Sequence, residues 1–278
     1  MLVTFYKKHP GSKVSERIKI NMFKVVFFDV DGTLLSEIDR SIPQSTKEAI
    51  NQLINKGITV VVATGRPYSL CEEFVSMGIN TIISANGALI KSGSNVIYKS
   101  TLSTESIRDI SAFAELNGHG VSYFTEAFAM NGIGSDDQRV MEALKETLSI
   151  TQYPEKVDMA DEVYCMCLYA DDSEAQKYIV KFPKHRFVRF HTYVMNVLEE
   201  TEVSKSTAIQ KVLDYLKIDK SEAIAFGDGG NDVDMLEYVG LGIAMGNGEP
   251  RLKQAADFVT RKASEGGIMY ALKVFGII

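Results

Sequence analysis

The run Asp29-Val30-Asp31-Gly32-Thr33 places two carboxylates one residue apart. It follows directly after the apolar stretch 24–28, whose β-branched and aromatic residues predict a buried β-strand. Open α/β sheets bind their ligands at the carboxyl ends of the strands, so the position of these acids indicates a functional site. We expect both carboxylates to lie in an exposed loop.

A second acidic loop follows another short apolar strand, 223–226, and has the sequence Gly227-Asp228-Gly229-Gly230-Asn231-Asp232. An isolated Asp-x-Asp is most often a solvated turn. Two such loops at the ends of parallel strands would bring up to four carboxylates together, and like charges at one point require a cation. Oxygen ligands favour a hard divalent ion, so we predict a Mg²⁺ site.

Two further segments carry groups that could bind an anion. The predicted strand 58–63 ends in Thr64-Gly65-Arg66-Pro67, which combines a hydroxyl, backbone N–H groups and a helix start. Lys205 stands near the start of a predicted helix, 204–216, whose apolar residues recur at helical spacing. Taken alone, each is more often structural: a strand-to-helix turn and a solvated lysine.

Together, these four segments resemble the ordered motifs of the haloacid dehalogenase (HAD) superfamily. The match is closer to its Cof-like phosphatases, which have a type IIB cap, because 84–88 (Ser-Ala-Asn-Gly-Ala) and 242–248 (Gly-Ile-Ala-Met-Gly-Asn-Gly) fit that group as well. The resemblance extends from about residue 22 to the C-terminus, although the middle matches in layout more than in residues. Departures are small: Ser206 replaces a usual glycine, and Gly230 fills a variable position.

The paired acids have the chemistry of a phosphatase. A carboxylate can attack phosphorus and form an aspartyl-phosphate, which divides one displacement into two easier ones, and we predict Asp29 as this nucleophile. Asp31 would protonate the leaving oxygen and then accept a proton from the hydrolytic water. Its presence favours hydrolysis, because a dehalogenase of this superfamily does not need that acid. Lys205 is the third predicted catalytic residue.

The resemblance also implies the remaining site residues. Mg²⁺ would be bound by the Asp29 carboxylate, the Asp31 backbone carbonyl and Asp228. Asp232 would orient Lys205 or a metal-bound water from outside the ligand set. The role of Arg66 stays open between the phosphate and a structural acid. The implied phosphate-binding groups are the N–H groups of Val30 and Gly65, the Thr64 hydroxyl, the Lys205 ammonium and the Asn231 amide.

The order of predicted elements indicates an α/β fold with a Rossmann-like parallel sheet. Strands alternate with helical segments in the first and last thirds of the chain, as in βα units. Between residues 101 and 192 the pattern changes, and we interpret this segment as an inserted α+β cap. Its predicted helices are 105–116, 137–148 and 173–181, and they alternate with predicted strands 121–125, 163–169 and 186–191. The predicted HAD-like catalytic core therefore comprises 22–100 and 193–278, split in sequence but continuous in space.

A cap over the site would exclude water and determine specificity. It favours a small phosphorylated metabolite, such as a sugar phosphate, a nucleotide-like cofactor or pyridoxal phosphate, over a phosphoprotein or nucleic acid. Tyr123, Arg189 and His191 are polar residues near predicted strand ends of the cap that could contact the substrate. A surface or core role is more common for such residues.

The first 20 residues are basic, with five lysines and arginines against one glutamate, whereas the whole chain has a net charge of −6. We interpret 1–21 as an extension without a catalytic role, and Met22 could be the natural start. The apolar run within this extension is too short for a signal peptide or a membrane span.

The cysteines and histidines argue against a zinc site or disulfides. Cys165 and Cys167 lie on one face of a predicted strand, the cysteine count is odd, and no His or Cys stands at metal-ligand spacing. We therefore predict reduced thiols in a cytoplasmic protein, with no membrane or nucleic-acid partner.

Three functions remain open. The leading one is a Mg²⁺-dependent phosphatase for small phosphate monoesters, which depends on Asp29 and Asp31 together. The second is a phosphotransferase or phosphomutase, in which the aspartyl-phosphate passes to another hydroxyl. The third is a binding protein that senses a phosphorylated ligand, which is disfavoured because a receptor has no use for an acid at residue 31. The sequence determines neither the physiological substrate nor the oligomeric state.

Overall fold

The computed structural model describes residues 23–125, 128–157, 162–199 and 203–278. The predicted extension, 1–21, lies outside the described residues. The chain divides into two compact units, and each is described by itself. Among the described residues, unit 1 comprises 23–63, 77–81 and 209–278, whereas unit 2 comprises 64–76 and the described part of 82–208.

The described strands, in chain order, are β1 (Val25–Phe28), β2 (Thr59–Ala63), β3 (Thr81–Ser84), β4 (Leu89–Ser92), β5 (Asn95–Lys99), β6 (Val121–Phe124), β7 (Phe128–Met130), β8 (Cys165–Tyr169), β9 (Arg186–His191), β10 (Val194–Leu198), β11 (Ala223–Gly227), β12 (Leu241–Ala244) and β13 (Phe258–Val259). The described α-helices are α1 (Gln44–Asn55), α2 (Glu72–Ser76), α3 (Thr104–Leu116), α4 (Gln138–Leu148), α5 (Asp172–Lys181), α6 (Lys205–Leu216), α7 (Val233–Tyr238), α8 (Pro250–Ala255) and α9 (Gly267–Val274). None of the helices in the described ranges is long and apolar enough to cross a bilayer.

Unit 1 is built on parallel strands in the order β13-β12-β11-β1-β2. β1 pairs with β11 on one side and with β2 on the other, both in parallel. Its four residues are fully buried, as expected for a central parallel strand that is covered on both faces. Because β1 and β11 come from opposite ends of the chain, the predicted parallel α/β core is confirmed as split in sequence and continuous in space.

Unit 2 contains a five-stranded sheet in the order β7-β6-β8-β10-β9, and its pairings are antiparallel. The predicted helices 105–116, 137–148 and 173–181 correspond to α3, α4 and α5. The predicted strands 121–125, 163–169 and 186–191 correspond to β6, β8 and β9. Cys71, Cys165 and Cys167 are buried free thiols, as predicted for reduced cysteines.

The structure differs from the sequence expectation at β10 and at the hairpin of β4 and β5. β10 pairs with β8 and β9, although it follows residue 192, where we placed the end of the insert; the boundaries 101–192 stay a prediction. The β4–β5 hairpin is antiparallel and turns at Gly93, which has a φ of 57°, so the βα alternation is interrupted there.

Two aromatic rings pack where β1 and β11 end. Phe28 and Phe226 are paired residues of the two strands, and their rings stack with centroids 5.0 Å apart. Each ring lies immediately before one of the acidic loops. This contact therefore ties the positions of the two loops to the core.

Replacing Phe226 by alanine should lower the free energy of unfolding by about 3–5 kcal/mol, because it removes a fully buried ring and leaves a cavity. Urea denaturation measures this loss. Ile38→Ala is the control, since Ile38 is 78% exposed and its loss should change stability by less than about 0.5 kcal/mol. Equal, small effects for both variants would contradict the anchoring role of the ring pair.

Candidate active site

Unit 1 gathers three carboxylates at the carboxyl edge of its sheet. Asp29 follows β1, and Asp228 and Asp232 follow β11, the parallel neighbour of β1. Each of the three offers an oxygen atom, and these atoms lie within 4.8 Å of one another. Three negative charges this close repel unless a cation or a proton compensates them. The cluster therefore has the composition of a divalent metal site with hard oxygen ligands.

Asp29 is 6% exposed, so the expectation of an exposed loop is wrong for this residue. Its N–H donates to the Phe226 carbonyl at 2.9 Å, which continues the hydrogen bonding of β1 with β11 by one residue. Beyond it the chain turns tightly, and the Leu35 N–H donates to the Val30 carbonyl at 2.9 Å. The carboxylate is buried because the sheet holds its backbone.

Gly32 makes this turn possible. Its φ is +78°, in the left-handed region that glycine adopts without strain. A Cβ at this position would lie 2.1 Å from Oδ2 of Asp228. The carboxylate of the second acidic loop thus packs directly on the backbone of the first.

Asp31 has a different environment from the three clustered acids. Its Oδ1 accepts a hydrogen bond from Nη2 of Arg40 at 2.5 Å, and both side chains are partly exposed. Sequence reasoning missed Arg40, because a lone arginine in a polar loop carries no motif. The pair fixes the orientation of the carboxylate that we assigned as the acid and base.

Asp232 is fully buried and stabilises its own loop. Its Oδ2 accepts hydrogen bonds from the backbone N–H groups of Asp228 and Gly229, both at 3.0 Å. Asn231 lies in the same turn, where a Cβ on Gly229 would be 2.6 Å from its Oδ1. The predicted interaction of Asp232 with Lys205 stays a prediction.

Neutral donors contact both oxygen atoms of the Asp228 carboxylate. The Thr33 hydroxyl donates to Oδ1 at 3.3 Å, and Nδ2 of Asn247 donates to Oδ2 at 3.2 Å. Sequence reasoning quoted Asn247 within the 242–248 motif but gave it no role. Its position in that glycine-bearing segment directly after a short strand was the available signal.

Unit 2 brings the other predicted segments together. The Asn86 N–H donates to the Thr64 carbonyl at 3.0 Å, and the Ala85 N–H donates to the Arg66 carbonyl at 2.9 Å. The Thr64 hydroxyl accepts from the Arg66 N–H at 3.1 Å. Thr64 and Arg66 are both buried. Gly65 is therefore at the tip of a turn that is fixed on both sides.

The turn at 85–87 also contacts the start of α6. Its residues have positive φ angles of 49°, 55° and 106°, an uncommon backbone for Ala85 and Asn86. A Cβ on Gly87 would lie 2.4 Å from the Ser204 carbonyl oxygen, so α6 begins against this turn. Lys205 is 2% exposed there, and a lysine is rarely so buried unless its charge is compensated.

Phe190 lies beside the Gly65 turn. A Cβ on Gly65 would be 3.1 Å from the Phe190 ring and 3.2 Å from the Asn86 amide. The pairing of β9 with β10 moves from Val194↔His191 to Met195↔Arg189 and so skips Phe190. Bulges of this kind re-aim a side chain, and they are common beside active sites.

The cap candidates named from the sequence have structural partners instead. The Tyr123 hydroxyl is 2.9 Å from that of Ser111, and burial raises the pKa of Tyr123. Arg189 pairs with Asp172, and His191 Nε2 lies 2.9 Å from Glu146. We chose these three residues from the sequence because they are polar. The residue that the bulge brings to the Gly65 turn is instead the apolar Phe190, which lies between Arg189 and His191.

Replacing Gly32 by alanine should abolish divalent-cation binding, because the new Cβ would displace the Asp228 carboxylate. Gly57→Ala is the matched control, since Gly57 has a φ of +73° and nothing lies within 4 Å of its Cβ position. In both variants the free energy of unfolding should fall by roughly 1–2 kcal/mol, because alanine is strained at a positive φ. Isothermal titration with Mg²⁺ should separate them; intact binding in Gly32→Ala would contradict the packing argument.

Comparison with known proteins agrees with this geometry. The family model of haloacid dehalogenase-like hydrolases matches residues 26–272. YkrA of Bacillus subtilis, which bears a provisional phosphatase name, is 37% identical over 259 residues, covering 92% of this chain and 98% of YkrA. YitU of the same organism, named 5-amino-6-(5-phospho-D-ribitylamino)uracil phosphatase, is 28% identical over 90% of this chain and 97% of its own length.

Solved structures agree as well. BT4131, described as a sugar phosphatase of HAD subclass IIB, has a TM-score of 0.83 and 31% identity, covering 92% of this chain and 100% of that one. BT1666 of Bacteroides thetaiotaomicron, described among HAD phosphatases, has a TM-score of 0.83 and 30% identity over 96% of this chain and 100% of its own. The resemblance inferred from the four motifs is thus confirmed. The chain belongs to the haloacid dehalogenase-like hydrolases.

Proposed function

We propose that this hydrolase is a Mg²⁺-dependent phosphatase that cleaves small phosphate monoesters through an aspartyl-phosphate on Asp29. The observation that carries the proposal is the position of Asp29, buried at the end of the central strand and within 4.8 Å of two other carboxylates. A carboxylate in such a cluster can serve as both a metal ligand and a nucleophile. The phosphatase names of the relatives support the same chemistry.

The donor set fits Mg²⁺. Carboxylate oxygens are the ligands that this ion prefers, and the cluster offers three of them. We assign the Asp29 carboxylate, the Asp31 backbone carbonyl and Asp228 as the ligands. In this assignment Asp232 remains outside the ligand set, where its Oδ2 accepts from two backbone N–H groups and stabilises the loop that carries Asp228. The bound ion would shield the anionic nucleophile from the anionic phosphate.

The proposed reaction consists of two successive displacements at phosphorus. Asp29 attacks phosphorus, the bond to the ester oxygen breaks, and Asp31 gives that oxygen a proton. Water then attacks the aspartyl-phosphate, Asp31 takes its proton, and phosphate leaves with Asp29 restored. The Arg40 guanidinium fixes the orientation of Asp31 between these steps.

The phosphoryl oxygens need donors that stabilise charge in the transition state. We assign this task to the Thr64 hydroxyl, the Lys205 ammonium and the Asn231 amide, together with the N–H groups of Val30 and Gly65. The burial of Lys205 supports its role, since a desolvated ammonium binds an anion more strongly than a solvated one does.

The names of similar proteins support a proposal for the substrate class. The printed names describe a sugar phosphatase and a ribitylaminouracil phosphatase among the similar proteins. We propose a small phosphorylated metabolite of comparable size, a sugar phosphate, a nucleotide-like phosphate or pyridoxal phosphate, with the insert 101–192 as the cap that selects it. Three buried free thiols support a reducing, cytoplasmic setting.

Replacing Asp29 by asparagine should reduce phosphate release by more than about 1,000-fold, because the nucleophile is lost. The assay measures phosphate released from a panel of small monoesters, with and without Mg²⁺. Tm should not fall, since the change removes one of three mutually repelling charges. Asp109→Asn, at a partly exposed aspartate on α3, is the control and should keep full activity.

Two results would count against this proposal. If the wild-type protein releases phosphate without a divalent cation, the proposed Mg²⁺ dependence is wrong. Transfer of the phosphoryl group to an added sugar that exceeds release to water would replace hydrolysis by the phosphotransferase reaction.

Replacing Lys205 by methionine keeps the aliphatic volume and removes the ammonium. We expect kcat/KM to fall by about 100-fold or more, since a buried donor to the transferring phosphoryl group is lost. Lys211→Met, on the same helix, is the matched control and should leave the steady-state kinetics unchanged. Similar kinetics for both variants would show that Lys205 has a structural role only.

A further inference from the structure

The carboxamide of Asn247 connects the loops that follow four strands of unit 1. Asn247 itself comes after β12. Its Nδ2 donates to the Gly32 carbonyl at 2.8 Å and to Oδ2 of Asp228 at 3.2 Å. Its Oδ1 accepts from the Ala263 N–H at 3.0 Å. These three partners follow β1, β11 and β13, respectively.

The chemistry of the partners fixes the orientation of the amide. The Gly32 carbonyl and the Asp228 carboxylate can only accept, so both require the NH₂ group of Asn247. The Ala263 N–H can only donate, so it requires the oxygen. An apolar residue at this position would make none of the three bonds, and an aspartate would keep only the bond to Ala263.

The neutral amide of Asn247 is a suitable hydrogen-bond donor for Asp228. Asp228 belongs to the carboxylate cluster, and its negative charge has to remain available to a cation. A lysine or arginine in the place of Asn247 would position Asp228 equally well, but it would neutralise the charge and compete with the metal. The amide fixes the carboxylate without this competition.

We infer that Asn247 is a positioning residue of the metal site. It holds the Asp228 carboxylate against the Asp29–Gly32 turn, so that the two acidic loops present their oxygen atoms to one ion. The same side chain anchors the Gly32 carbonyl, which follows the proposed acid, Asp31. This inference rests on the proposed function, because the ion is the Mg²⁺ assigned there.

The test measures Mg²⁺ binding to the metal-free full-length protein by isothermal titration, without substrate. Asn247→Ala should weaken binding by about 10–100-fold, the usual effect of losing an outer contact to a ligand. Thr260→Ala is the matched control, because it removes a buried hydrogen bond to the Gly267 carbonyl, of 2.7 Å, in the same unit. It should lower Tm without changing the Mg²⁺ affinity.

Activity gives an independent readout. In Asn247→Ala, the Mg²⁺ concentration for half-maximal activity should rise, while kcat at saturating Mg²⁺ should recover most of the wild-type value. A purely structural role would lower Tm and leave the half-maximal Mg²⁺ concentration unchanged, and that result would overturn the inference.

Asn247→Asp provides a second variant that keeps the shape and the bond to Ala263, so it should fold even if the alanine variant does not. It should bind Mg²⁺ no more tightly than the wild type, because it cannot hold Asp228. Tighter binding would make residue 247 a ligand and overturn the positioning role. A wild-type protein that binds no Mg²⁺ would instead refute the metal in the proposed function.

Discussion

The pairing of β1 with β11 is the constraint on which the site depends. It brings Asp29 and Asp228 to one edge of the sheet, although they come from opposite ends of the chain. The hydrogen bond from the Asp29 N–H to the Phe226 carbonyl extends the ladder to the first acid itself. Repulsion among the carboxylates opposes this arrangement. Fully buried strand residues on both sides of the pairing offset that repulsion.

The acids of the two loops contact both neutral and charged groups. Asp228 and Asp232 accept hydrogen bonds from neutral donors, namely a hydroxyl, an amide and backbone N–H groups. Asp31 instead pairs with the guanidinium of Arg40. Neutral donors orient a carboxylate and leave its charge for a cation, whereas a guanidinium compensates the charge directly. The amide and hydroxyl donors at Asp228 are therefore compatible with a cation at the cluster.

The left-handed turn at 85–87 connects two of the predicted site segments within unit 2. The turn bonds to the backbone on both sides of Gly65, and it packs against the residue before Lys205. A strained backbone persists only where its surroundings determine it, as they do here through buried contacts. The sequence Ser-Ala-Asn-Gly indicates a turn but gives no sign that alanine would adopt a positive φ.

Motif types and spacing alone identified the family, the parallel core and the four helices α3 to α6, because short-range patterns of apolar residues and acids encode them. They also identified the two acidic loops, since each follows its strand directly. Only the tertiary structure decided the burial of Asp29, the pairing of Arg40 with Asp31, the bulge at Phe190 and the three bonds of Asn247. The burial of Asp29 and the bonds of Asn247 depend on contacts between loops that are distant in sequence, and no local pattern indicates which loops will meet. Arg40 is only nine residues from Asp31, but no motif marks that pair.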